Sequence, residues 1–583
     1  MSYYVADFET NTLTLQQEKL LLDGVKKAKD FKTHVWGWGI TEMGNVSDKD
    51  IFIDNSIHKF MSFVFRIPDN PKIYFHNLKF DGHFIISWLL NNGFKNYQDR
   101  SHIPPKTFST LISDMGQFYS ITVTLGRKRG RYHKVTFIDS LKKLPFSVDR
   151  IAKAFNLDFK KLDVPDEFYR LQRTENHVLS PLEIEYIKGD IRVISQALHI
   201  QHTQNMTAMT VGSDALADYQ RRIGDGALPS RFPVLEKDVD DDIKLAYRGG
   251  VTMVKESVRN KDVGLGKTYD INSMYPAIMR YKHLPMGKPL FFNGKYQPYE
   301  DYNLYIQEIV CEFKLKPEHL PTIQIKNMVG IYSPREYLTE SKRPTRMHLT
   351  NIDLKLFFEH YEVYNIEWVS GYMFKSRNDM FNEYIDHWTE IKETTVGAMR
   401  ELAKLHLNSL YGKFGTRTDM QGKVPELNEY GIVKMKLGEP EVIEPIYSAV
   451  AVFVTSYGRE QLLRTAQMNY DIFCYCDTDS IHVLGTETPK GVELHKTKLG
   501  LWDDEGTFKR ARFIGAKCYI EDFINSGLKV TCAGMTREQH SQVTFDNFKE
   551  GLIVTGKLQP KIVKGGVVLV STDYQVKVRG FIH

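Results

Sequence analysis

Apolar and polar positions alternate in short blocks over the first 200 residues. The runs at 3–8 and 72–75 are apolar and aromatic, and polar, helix-compatible sequence follows each of them, which predicts strands that lead into helices. A further helix is predicted to begin after Ser180, because proline occupies the first helical position and Glu183 the third. Strands that alternate with helices indicate an α/β organisation.

Beyond about residue 245 the pattern changes several times. Residues 245–290 have strand character, 380–414 have a helical pattern, and 446–484 combine a helix with two strands. The tail after about 530 is rich in Gly and Val and is predicted to be β. A chain of 583 residues is expected to form two to four domains. The predicted fold class is therefore α/β in the wide sense, a multidomain α+β protein.

Composition narrows the class of protein. Hydrophobic residues make up 42% and charged residues 26%, as in ordinary globular proteins. The sequence has no apolar run near the roughly 20 residues of a membrane helix, and its N-terminus lacks the pattern of a secretory signal. Five cysteines without a Cys-x-x-Cys pair argue against a disulfide framework or a zinc site. We expect a cytoplasmic protein with no membrane partner.

The net charge of +5 does not identify a nucleic-acid-binding protein by itself. The run 127–131 with Lys134, and the set Lys557, Lys561 and Lys564, could bind phosphates, although solvated loops have the same composition. Aromatic residues make up 12% and offer rings on which bases could stack. The composition is therefore compatible with a nucleic-acid partner but does not by itself indicate one.

Carboxylates in the first 200 residues form a first candidate metal site. Asp7 and Glu9 are two apart in a predicted strand, so their side chains leave the same face. Two later motifs add one carboxylate each, one helical turn from a polar partner: Asn77 with Asp81, and Tyr186 with Asp190. Four carboxylates could hold two divalent ions, Mg²⁺ or Mn²⁺, for phosphodiester hydrolysis. Tyr186 is placed to orient the attacking water.

A second carboxylate set lies in the later half. Asp270 is predicted at the end of a strand, before a turn whose backbone amides could hold a triphosphate. Asp477 and Asp479 lie on either side of the turn of a predicted hairpin. Three such aspartates could hold two Mg²⁺ ions for in-line attack of a 3′-hydroxyl on an α-phosphate. Taken alone, the Asp-Thr-Asp turn is also compatible with a solvated turn.

A polar stripe lies between the two parts of this set. Lys404, Asn408 and Tyr411 fall on one face of a predicted helix, which is not a core pattern. The lysine suits a phosphate, whereas asparagine and tyrosine suit a sugar and a base. Three more cations could extend the track for a triphosphate: Lys392, Arg400 and Lys517.

These segments resemble known polymerases. The sequences at 270–276, 404–412, 475–480 and 517–519 resemble the successive signatures of family B DNA polymerases. The first carboxylate set resembles the three exonuclease motifs of proofreading polymerases, in the variant with tyrosine in the third motif. Three motifs in the right order are far more specific than any one of them.

The resemblance implies further roles. Lys161 would stabilise the scissile phosphate, with Lys160 as a rival, and Tyr275 would lie under the incoming sugar and exclude ribonucleotides. Tyr411 and Asn408 would contact the nascent base pair. DNA contacts are implied at residues in both halves of the chain: Asn77, Phe80, Ser140, Leu141, Tyr247, Arg248, Gly249, Gly250 and Tyr519.

The short chain, the Tyr-Arg-Gly-Gly segment at 247–250 and the long segments that flank 404–412 narrow the resemblance to the protein-primed polymerases of small phages, the phi-29-like group. It implies an RNase H-like 3′–5′ exonuclease domain followed by a right-hand polymerase. The implied domains are exonuclease 1–207, palm 208–281 and 448–532, fingers 380–415, thumb 533–583, and terminal-protein-region insertions 282–379 and 416–447. The implied partners are primer-template DNA, single-stranded DNA, dNTPs and a terminal protein that primes synthesis. A processive, strand-displacing monomer in the host bacterial cytoplasm is expected.

Three further stretches of the sequence predict local features of the chain. Alternation over 432–437 between nearby glycines predicts a projecting β-hairpin that could clamp duplex DNA while burying little core. Residues 11–33 look longer than the usual link after the first exonuclease motif and predict an additional amphipathic helix. Thr531 stands where relatives tend to carry a primer-binding lysine, which Lys529 could replace.

Three alternatives remain open. A family B polymerase primed by RNA would share every motif, and primer extension with and without a terminal protein would separate the two. A nuclease with a non-catalytic polymerase half is disfavoured by the intact Asp270, Asp477 and Asp479. A DNA-binding or packaging protein has no need for two ordered carboxylate sets.

Overall fold

The fold is that of a computed structural model, which describes residues 2–99, 103–128, 131–324, 336–444, 446–578 and 582. Arg129 and Gly130 of the predicted basic run lie outside the described residues. Within those ranges, no helix is long and apolar enough to cross a membrane.

The first part of the chain forms an eight-stranded mixed sheet in the order β3-β2-β1-β4-β8-β7-β6-β5. Strand β4 is parallel to both of its neighbours, β1 and β8. The elements are β1 (Tyr3–Thr10), α1 (Leu15–Leu22), β2 (Val35–Glu42), β3 (Phe52–Asp54), α2 (Ile57–Val64), β4 (Lys72–Phe75), α3 (Leu78–Asn91), β5 (Lys95–Asn96), β6 (Thr107–Ile112), β7 (Phe118–Lys128), β8 (Arg131–Asp139), α4 (Val148–Ala154), α5 (Asp166–Arg170) and α6 (Pro181–Thr203). The predicted strands at 3–8 and 72–75 are confirmed.

Helix α6 begins where the sequence predicts. Ser180 accepts the amide of Glu183, and the Glu183 carboxylate accepts the amide of Ser180, a reciprocal capping box. The helix lies against β1 and β2, and Gly37 and Gly39 of β2 permit the close approach. A Cβ at Gly39 would lie 2.7 Å from the Ile187 side chain. This packing sets the position of the polar face of α6 over the end of β1.

The second part contains another eight-stranded sheet, in the order β22-β21-β20-β11-β19-β18-β9 with β10 paired to β20. Its elements and those around it are α7 (Val211–Ile223), α8 (Ala227–Arg231), α9 (Lys237–Leu245), β9 (Thr252–Val254), β10 (Asp262–Val263), β11 (Gly266–Ile271), α10 (Met274–Tyr281), β12 (Leu284–Asn293), β13 (Leu304–Leu315), β14 (Thr345–Thr350), α11 (Asn351–His360), β15 (Tyr361–Arg377), α12 (Asn382–Thr394), α13 (Ala398–Phe414), β16 (Asp419–Leu427), β17 (Val433–Val442), α14 (Ser448–Met468), β18 (Phe473–Asp477), β19 (Ser480–Leu484), β20 (Trp502–Gly515), β21 (Cys518–Phe523), β22 (Gly527–Cys532), α15 (Arg537–His540), β23 (Ile553–Val563) and β24 (Gly566–Gln575).

Most element types agree with the pattern, with two differences. The predicted helix and strand pair over 446–484 are confirmed as α14, β18 and β19. Residues 380–414 are helical but break between Thr394 and Ala398, where Gly397 has a φ of +62°. The strand character predicted through 290 is interrupted by α10, because Ser273 adopts a left-handed conformation and Pro276 lies in the first helical turn, where proline is tolerated.

Three smaller sheets complete the fold. Strands β12, β15, β13 and β14 form a four-stranded sheet, β16 and β17 form the predicted hairpin, and β23 and β24 form a hairpin in the β tail. The expectation that the β16–β17 hairpin buries little core is wrong. Val433 is 3% exposed and belongs to the core cluster of the first sheet, which also includes Phe118.

The segment 11–33 contains the predicted additional helix, but only over the eight residues of α1. A capping box between Thr14 and Gln17 starts it. The rest of the segment consists of turns and a short 3₁₀ turn at Ala28–Asp30. Several of its apolar side chains lie against the β23–β24 hairpin, which the sequence does not predict.

Candidate active sites

The first carboxylate set is brought together from three elements. Asp7 and Glu9 lie on β1, opposite Gly39 and Gly37 of β2. Helix α3 carries Asp81 in its first turn, and α6 carries Asp190. All four predicted members of the set therefore belong to one cluster, which the packing of α6 on glycine-containing β2 makes possible.

Burial and mutual repulsion both disfavour the charged forms of these carboxylates. Burial, together with the nearby Asp190 carboxylate, raises the pKa of Asp7 to about 7. Burial and the neighbouring carboxylates also raise the pKa values of Glu9 and Asp81 well above their ordinary values. One Asp190 oxygen is buried without a hydrogen-bond partner. A cluster of four carboxylates with one unpaired buried oxygen suits a cation.

Lys161 and Tyr186 border the same cluster. The Lys161 ammonium lies 2.9 Å from an Asp190 oxygen, so Lys161, of the two candidate lysines, contacts the carboxylates. Although burial opposes its charge, Asp190 and Asp7 raise the pKa of Lys161. The Tyr186 hydroxyl lies 3.2 Å from that of Tyr169, a residue not singled out from sequence. Glu9 and Asp190 add to burial in raising the pKa of Tyr186, so its hydroxyl stays protonated.

A cavity of about 1050 Å³ opens beside this cluster and is lined by two predicted DNA contacts, Asn77 and Leu141. Residues that sequence reasoning missed also line it: His76, Phe146, Arg150 and Arg537. Arg537 lies more than 380 positions from the others in the chain, which explains why no local signal marks it. A second, small cavity of about 60 Å³ is lined by Asp7, His76 and Asp190, and His76 also lines the larger one.

The other two predicted DNA contacts near this cluster, Phe80 and Ser140, do not line the cavity. Phe80 is half-buried on α3 and packs against Phe84. Ser140 is fully buried, donates to the Phe75 carbonyl and bonds His76, so its hydroxyl offers no surface to a DNA strand. Asp139, which was missed, accepts the backbone amides of Asn77, Leu78 and Leu141 and thereby fixes the start of α3.

The second carboxylate set lies across three adjacent strands. Asp270 of β11 and Asp477 of β18 both lie opposite Ser480 of β19, one on each side. Asp479 is in the turn between β18 and β19, where Thr478 has a φ of +60°. The Thr478 amide donates to the Val251 carbonyl at 2.6 Å, which holds this strained turn in place. The sheet register thus brings the three predicted aspartates together.

Electrostatics distinguish the three aspartates. Burial and the Asp479 carboxylate raise the pKa of Asp270 to about 8, and burial and Asp477 raise that of Asp479 to about 6. The Asp477 carboxylate instead accepts hydrogen bonds from neighbouring side chains. Lys517 contacts its two oxygens at 2.7 and 2.6 Å, and Thr252 donates to it at 3.0 Å. Lys517, predicted to bind nucleotide, is thus bound to a carboxylate in this structure.

The predicted nucleotide-binding residues meet beside these aspartates. The rings of Tyr275 and Tyr411 lie 4.4 Å apart. Burial, with repulsion from Arg400 and Lys404 of α13, lowers the pKa of Lys392 on α12. The break in the helix brings them together, because it folds α13 back so that Arg400 donates to the Lys392 carbonyl. Asn408 is exposed on the same helix.

The segment Tyr247–Gly250 reaches the acidic turn. A Cβ at Gly250 would lie 3.0 Å from the Thr478 side chain, so glycine permits the contact. Arg459 of α14, missed from sequence, donates to the Arg248 and Gly249 carbonyls at 2.7 and 3.0 Å and pairs with Asp353. Arg248 donates to the His348 carbonyl.

Tyr519 is 7% exposed and packs in the core beneath this sheet, so the surface it offers to DNA is small. Thr531 lies opposite it on β22, and Lys529 lies opposite Glu521. The charge of Lys529 acts on Asp270 and opposes the rise of its pKa. Lys529 is therefore close to the second cluster, as the proposed replacement for the primer-binding lysine requires.

Divalent ions fit both clusters by charge and by ligand type. The pKa values of Asp7 and Asp270 are raised although Lys161 pairs with Asp190 and Lys517 with Asp477, and one Asp190 oxygen is buried without a hydrogen-bond partner. Across the described ranges, no group of three or more His, Cys, Asp or Glu side chains is placed so that it could hold a metal ion by itself. Mg²⁺ is commonly held by one or two carboxylates, with water and substrate phosphates as the other ligands. These residues suit such incomplete protein sites.

Comparison with known proteins extends this picture. The profile of DNA polymerase type B, organellar and viral, matches residues 64–179 and 166–496. The DNA polymerase of Bacillus phage phi29 is 42% identical over 595 residues, which cover 98% of this chain and 99% of that protein.

Solved structures agree with the sequence matches. The fold is similar to that of phi29 DNA polymerase complexed with primer-template DNA and incoming nucleotide substrates, with a TM-score of 0.91, 41% identity, and coverage of 99% of this chain and 100% of that one. The phi29 polymerase complexed with single-stranded DNA matches with a TM-score of 0.89, 40% identity and the same coverage.

Proposed function

The chain belongs to the type B DNA polymerases of organelles and viruses, among the phi29-like phage enzymes, and we propose that its two carboxylate clusters catalyse DNA synthesis and 3′–5′ proofreading separately. The observation that carries this proposal is the presence of two distinct clusters with raised carboxylate pKa values, one on β1, α3 and α6 and the other on β11, β18 and β19. Incubation with Mg²⁺ and labelled DNA, with and without dNTPs, tests it. Extension with dNTPs and shortening without them are expected.

The synthetic reaction uses the second cluster. Asp270, Asp477 and Asp479 would hold two Mg²⁺ or Mn²⁺ ions, which when bound supply charge stabilisation to the attacking 3′-oxygen and the leaving diphosphate. Lys392, Arg400 and Lys404 are grouped so that they can neutralise a triphosphate. Lys517 would release Asp477 as the site fills, because the incoming positive charge competes for the same carboxylate.

Proofreading uses the first cluster. Asp7, Glu9, Asp81 and Asp190 would hold the divalent ions, and Lys161 would neutralise the scissile phosphate from its position beside Asp190. Tyr186 keeps its proton, so it can donate a hydrogen bond that orients the attacking water. The neighbouring cavity, with Asn77, Leu141 and Arg537 on its walls, has room for the frayed end of a primer.

The domain division follows from these roles. Residues 1–207 would form the exonuclease domain, 208–281 and 448–532 the palm, 380–415 the fingers and 533–583 the thumb. Residues 282–379 and 416–447 would be the terminal-protein-region insertions. The placement of the first eight-stranded sheet and α6 within 1–207, and of the β23–β24 hairpin within 533–583, is compatible with this proposed division.

We also propose protein priming, by a hydroxyl of a terminal protein, on a linear phage genome in the host cytoplasm. The support is membership of the phi29-like group. Mixed with its terminal protein, an origin-bearing template and one labelled dNTP, the enzyme should label the protein. Extension from RNA primers alone, with the terminal protein left unlabelled, would favour the RNA-primed alternative. The enzyme is expected to act as a monomer.

Tyr275→Val is expected to relax sugar selection. The Tyr275 ring is braced by Tyr411 and by the close approach of Gly458, where a Cβ would lie 3.1 Å from the ring. Removal of this wall should raise ribonucleotide incorporation relative to dNTP incorporation by about 10- to 100-fold. Tyr281→Val is the matched control, since Tyr281 lies on the same helix and is 54% exposed. Unchanged selectivity in a variant that still incorporates dNTPs would assign Tyr275 to packing.

Deletion of residues 421–439 is expected to abolish long extension and strand displacement together while short gap filling survives. The hairpin packs against the first domain, and Thr110 donates to the Lys423 carbonyl. Loss of buried Ile432 and Val433 should also cost roughly 3 kcal/mol of unfolding free energy. Leu437→Ala, at a residue 57% exposed on β17, is the control. Processive displacement by the deleted enzyme in the presence of a trap would exclude a clamp role.

A further inference from the structure

Residues 11–33, which we call the strap, connect β1 to β2 and are closed at their base on the first domain. The Asn11 amide donates to the His34 carbonyl at 3.1 Å, and the Thr33 hydroxyl donates to the Asn11 carbonyl at 2.7 Å. The Asn11 side chain donates to the Arg173 carbonyl at 2.6 Å. The strap is therefore an anchored loop, and its position relative to the first sheet is fixed.

The strap packs on the hairpin formed by β23 and β24. Leu13 and Phe31 of the strap share a core with Val563, Val568 and Val570, and all five are at most 5% exposed. The backbones also bond, because the Thr33 amide donates to the Lys564 carbonyl at 2.9 Å and the Lys564 amide donates to the Phe31 carbonyl at 3.3 Å. This is a packed, hydrogen-bonded interface between segments more than 500 residues apart.

The turn of the β23–β24 hairpin fits the strap closely. Gly565 has a φ of +92°, and a Cβ there would overlap the Thr33 carbonyl oxygen. Both its backbone conformation and the lack of space therefore require glycine. The docking thus depends on the shape of the hairpin tip as well as on apolar contact.

Glu18 joins three elements at one buried carboxylate. It is 7% exposed on α1. One of its oxygens accepts the Ser571 amide of β24, and the other accepts from Arg170 of α5 at 3.3 Å. A charge-assisted bond to a backbone amide in a largely dry interface is stronger than an exposed ion pair.

The strap also reaches the β16–β17 hairpin. The Lys29 ammonium lies 4.3 Å from the centre of the Tyr430 ring, in the turn of that hairpin. A Cβ at neighbouring Gly431 would lie 3.8 Å from the Lys564 side chain, so the tips of the two hairpins are adjacent. The strap therefore lies where the first domain and both hairpin tips meet.

We propose that Glu18 is a positioning residue for processive synthesis, which holds the β23–β24 hairpin against the first domain through the strap. The β16–β17 hairpin is the proposed clamp on the duplex, and its tip lies beside that of the β23–β24 hairpin, so separation of the two tips would open the clamp. Glu18 and the apolar strap contacts oppose their separation. This inference rests on the proposed polymerase function, since it concerns how long one enzyme molecule stays on its primer.

Glu18→Ala is the direct test. Without the carboxylate, the Ser571 amide has lost its acceptor, and its hydrogen exchange should quicken by roughly tenfold. Extension per binding event, measured with a trap, should shorten severalfold, whereas the rate of a single-nucleotide addition should stay within about twofold. A variant that was only less stable would lose extension length and single-nucleotide addition together, so a fall in extension length alone indicates a positioning role.

Two further variants sharpen the test. Asp23→Ala removes an exposed carboxylate from the end of the same helix and should change neither readout. Glu18→Gln keeps an acceptor oxygen for Ser571 and should restore most of the extension length. Equal extension lengths for Glu18→Ala and the parent would overturn the proposal, as would an equal fall in single-nucleotide addition. A parent enzyme that fails to extend primers would instead contradict the proposed function, and the exchange at Ser571 would still report on the contact.

Discussion

Asp479→Asn should reduce nucleotide incorporation by about 10²- to 10³-fold, the scale on which loss of one preorganised electrostatic group acts, while degradation of single-stranded DNA persists. The second cluster supplies all the carboxylates proposed for synthesis, and Asp479 lies in a turn held by the Thr478 and Val251 backbones. Asparagine has nearly the same volume but lacks the charge that a divalent ion requires. Asp477→Asn should have the same effect and also leave Lys517 without its partner.

A matched control and a folding check accompany this prediction. Asp504→Asn removes an exposed carboxylate from the same sheet, where it pairs with Lys267, and should leave incorporation nearly unchanged. Primer extension and exonuclease assays on the same preparations provide both readouts. If a folded Asp479→Asn enzyme lost both activities, the two clusters would have to act as one site.

Asp7→Ala combined with Glu9→Ala should have the converse effect, with exonuclease activity reduced by a similar factor and incorporation retained. These residues provide half of the carboxylates in the first cluster, and both are on β1. Misinserted nucleotides should then remain in the product, which sequencing of replicated DNA would reveal. Glu175→Ala, on the same domain, removes a carboxylate that pairs with exposed Lys32 and serves as control. Retained degradation in the double variant would remove this cluster from the exonuclease reaction.

The same cluster allows a test that does not depend on activity. In the metal-free protein, the pKa of Asp7 is raised to about 7, so the folded state holds this proton more tightly than the unfolded chain. A raised carboxyl pKa lowers stability progressively as pH rises from about 4 to about 7. Asp7→Asn should therefore raise the melting temperature of the metal-free enzyme at pH 8, and the gain should shrink towards pH 5. A variant less stable than the parent at pH 8 would contradict the destabilising effect of the charged Asp7 carboxylate in this cluster.

Local spacing determined much of the candidate chemistry. Asp7 and Glu9 share a strand face because the strand period is two residues, and Tyr186 and Asp190 are one helical turn apart on a helix that its own capping box starts. The Asp-Thr-Asp turn follows from two apolar runs on either side. In each case the relevant geometry is set by residues a few positions apart, so the sequence alone indicates it. The family resemblance could be identified from the sequence for the same reason, because each of its motifs spans only a few residues.

Tertiary contact decided the rest. The amino-acid sequence indicates which residues carry charge, which type of element most segments form, and in which order the motifs occur. It could not determine that Lys517 binds Asp477, that Ser140 and Tyr519 are buried, or that Val433, in a hairpin expected to project freely, packs into the core of the first sheet. Nor could it place the strap against the β23–β24 hairpin or Arg537 in the cavity lined by His76 and Asn77. The type of a residue indicates whether its side chain will be buried or paired with an opposite charge. Which distant segment provides the contact depends on how the segments pack together in three dimensions.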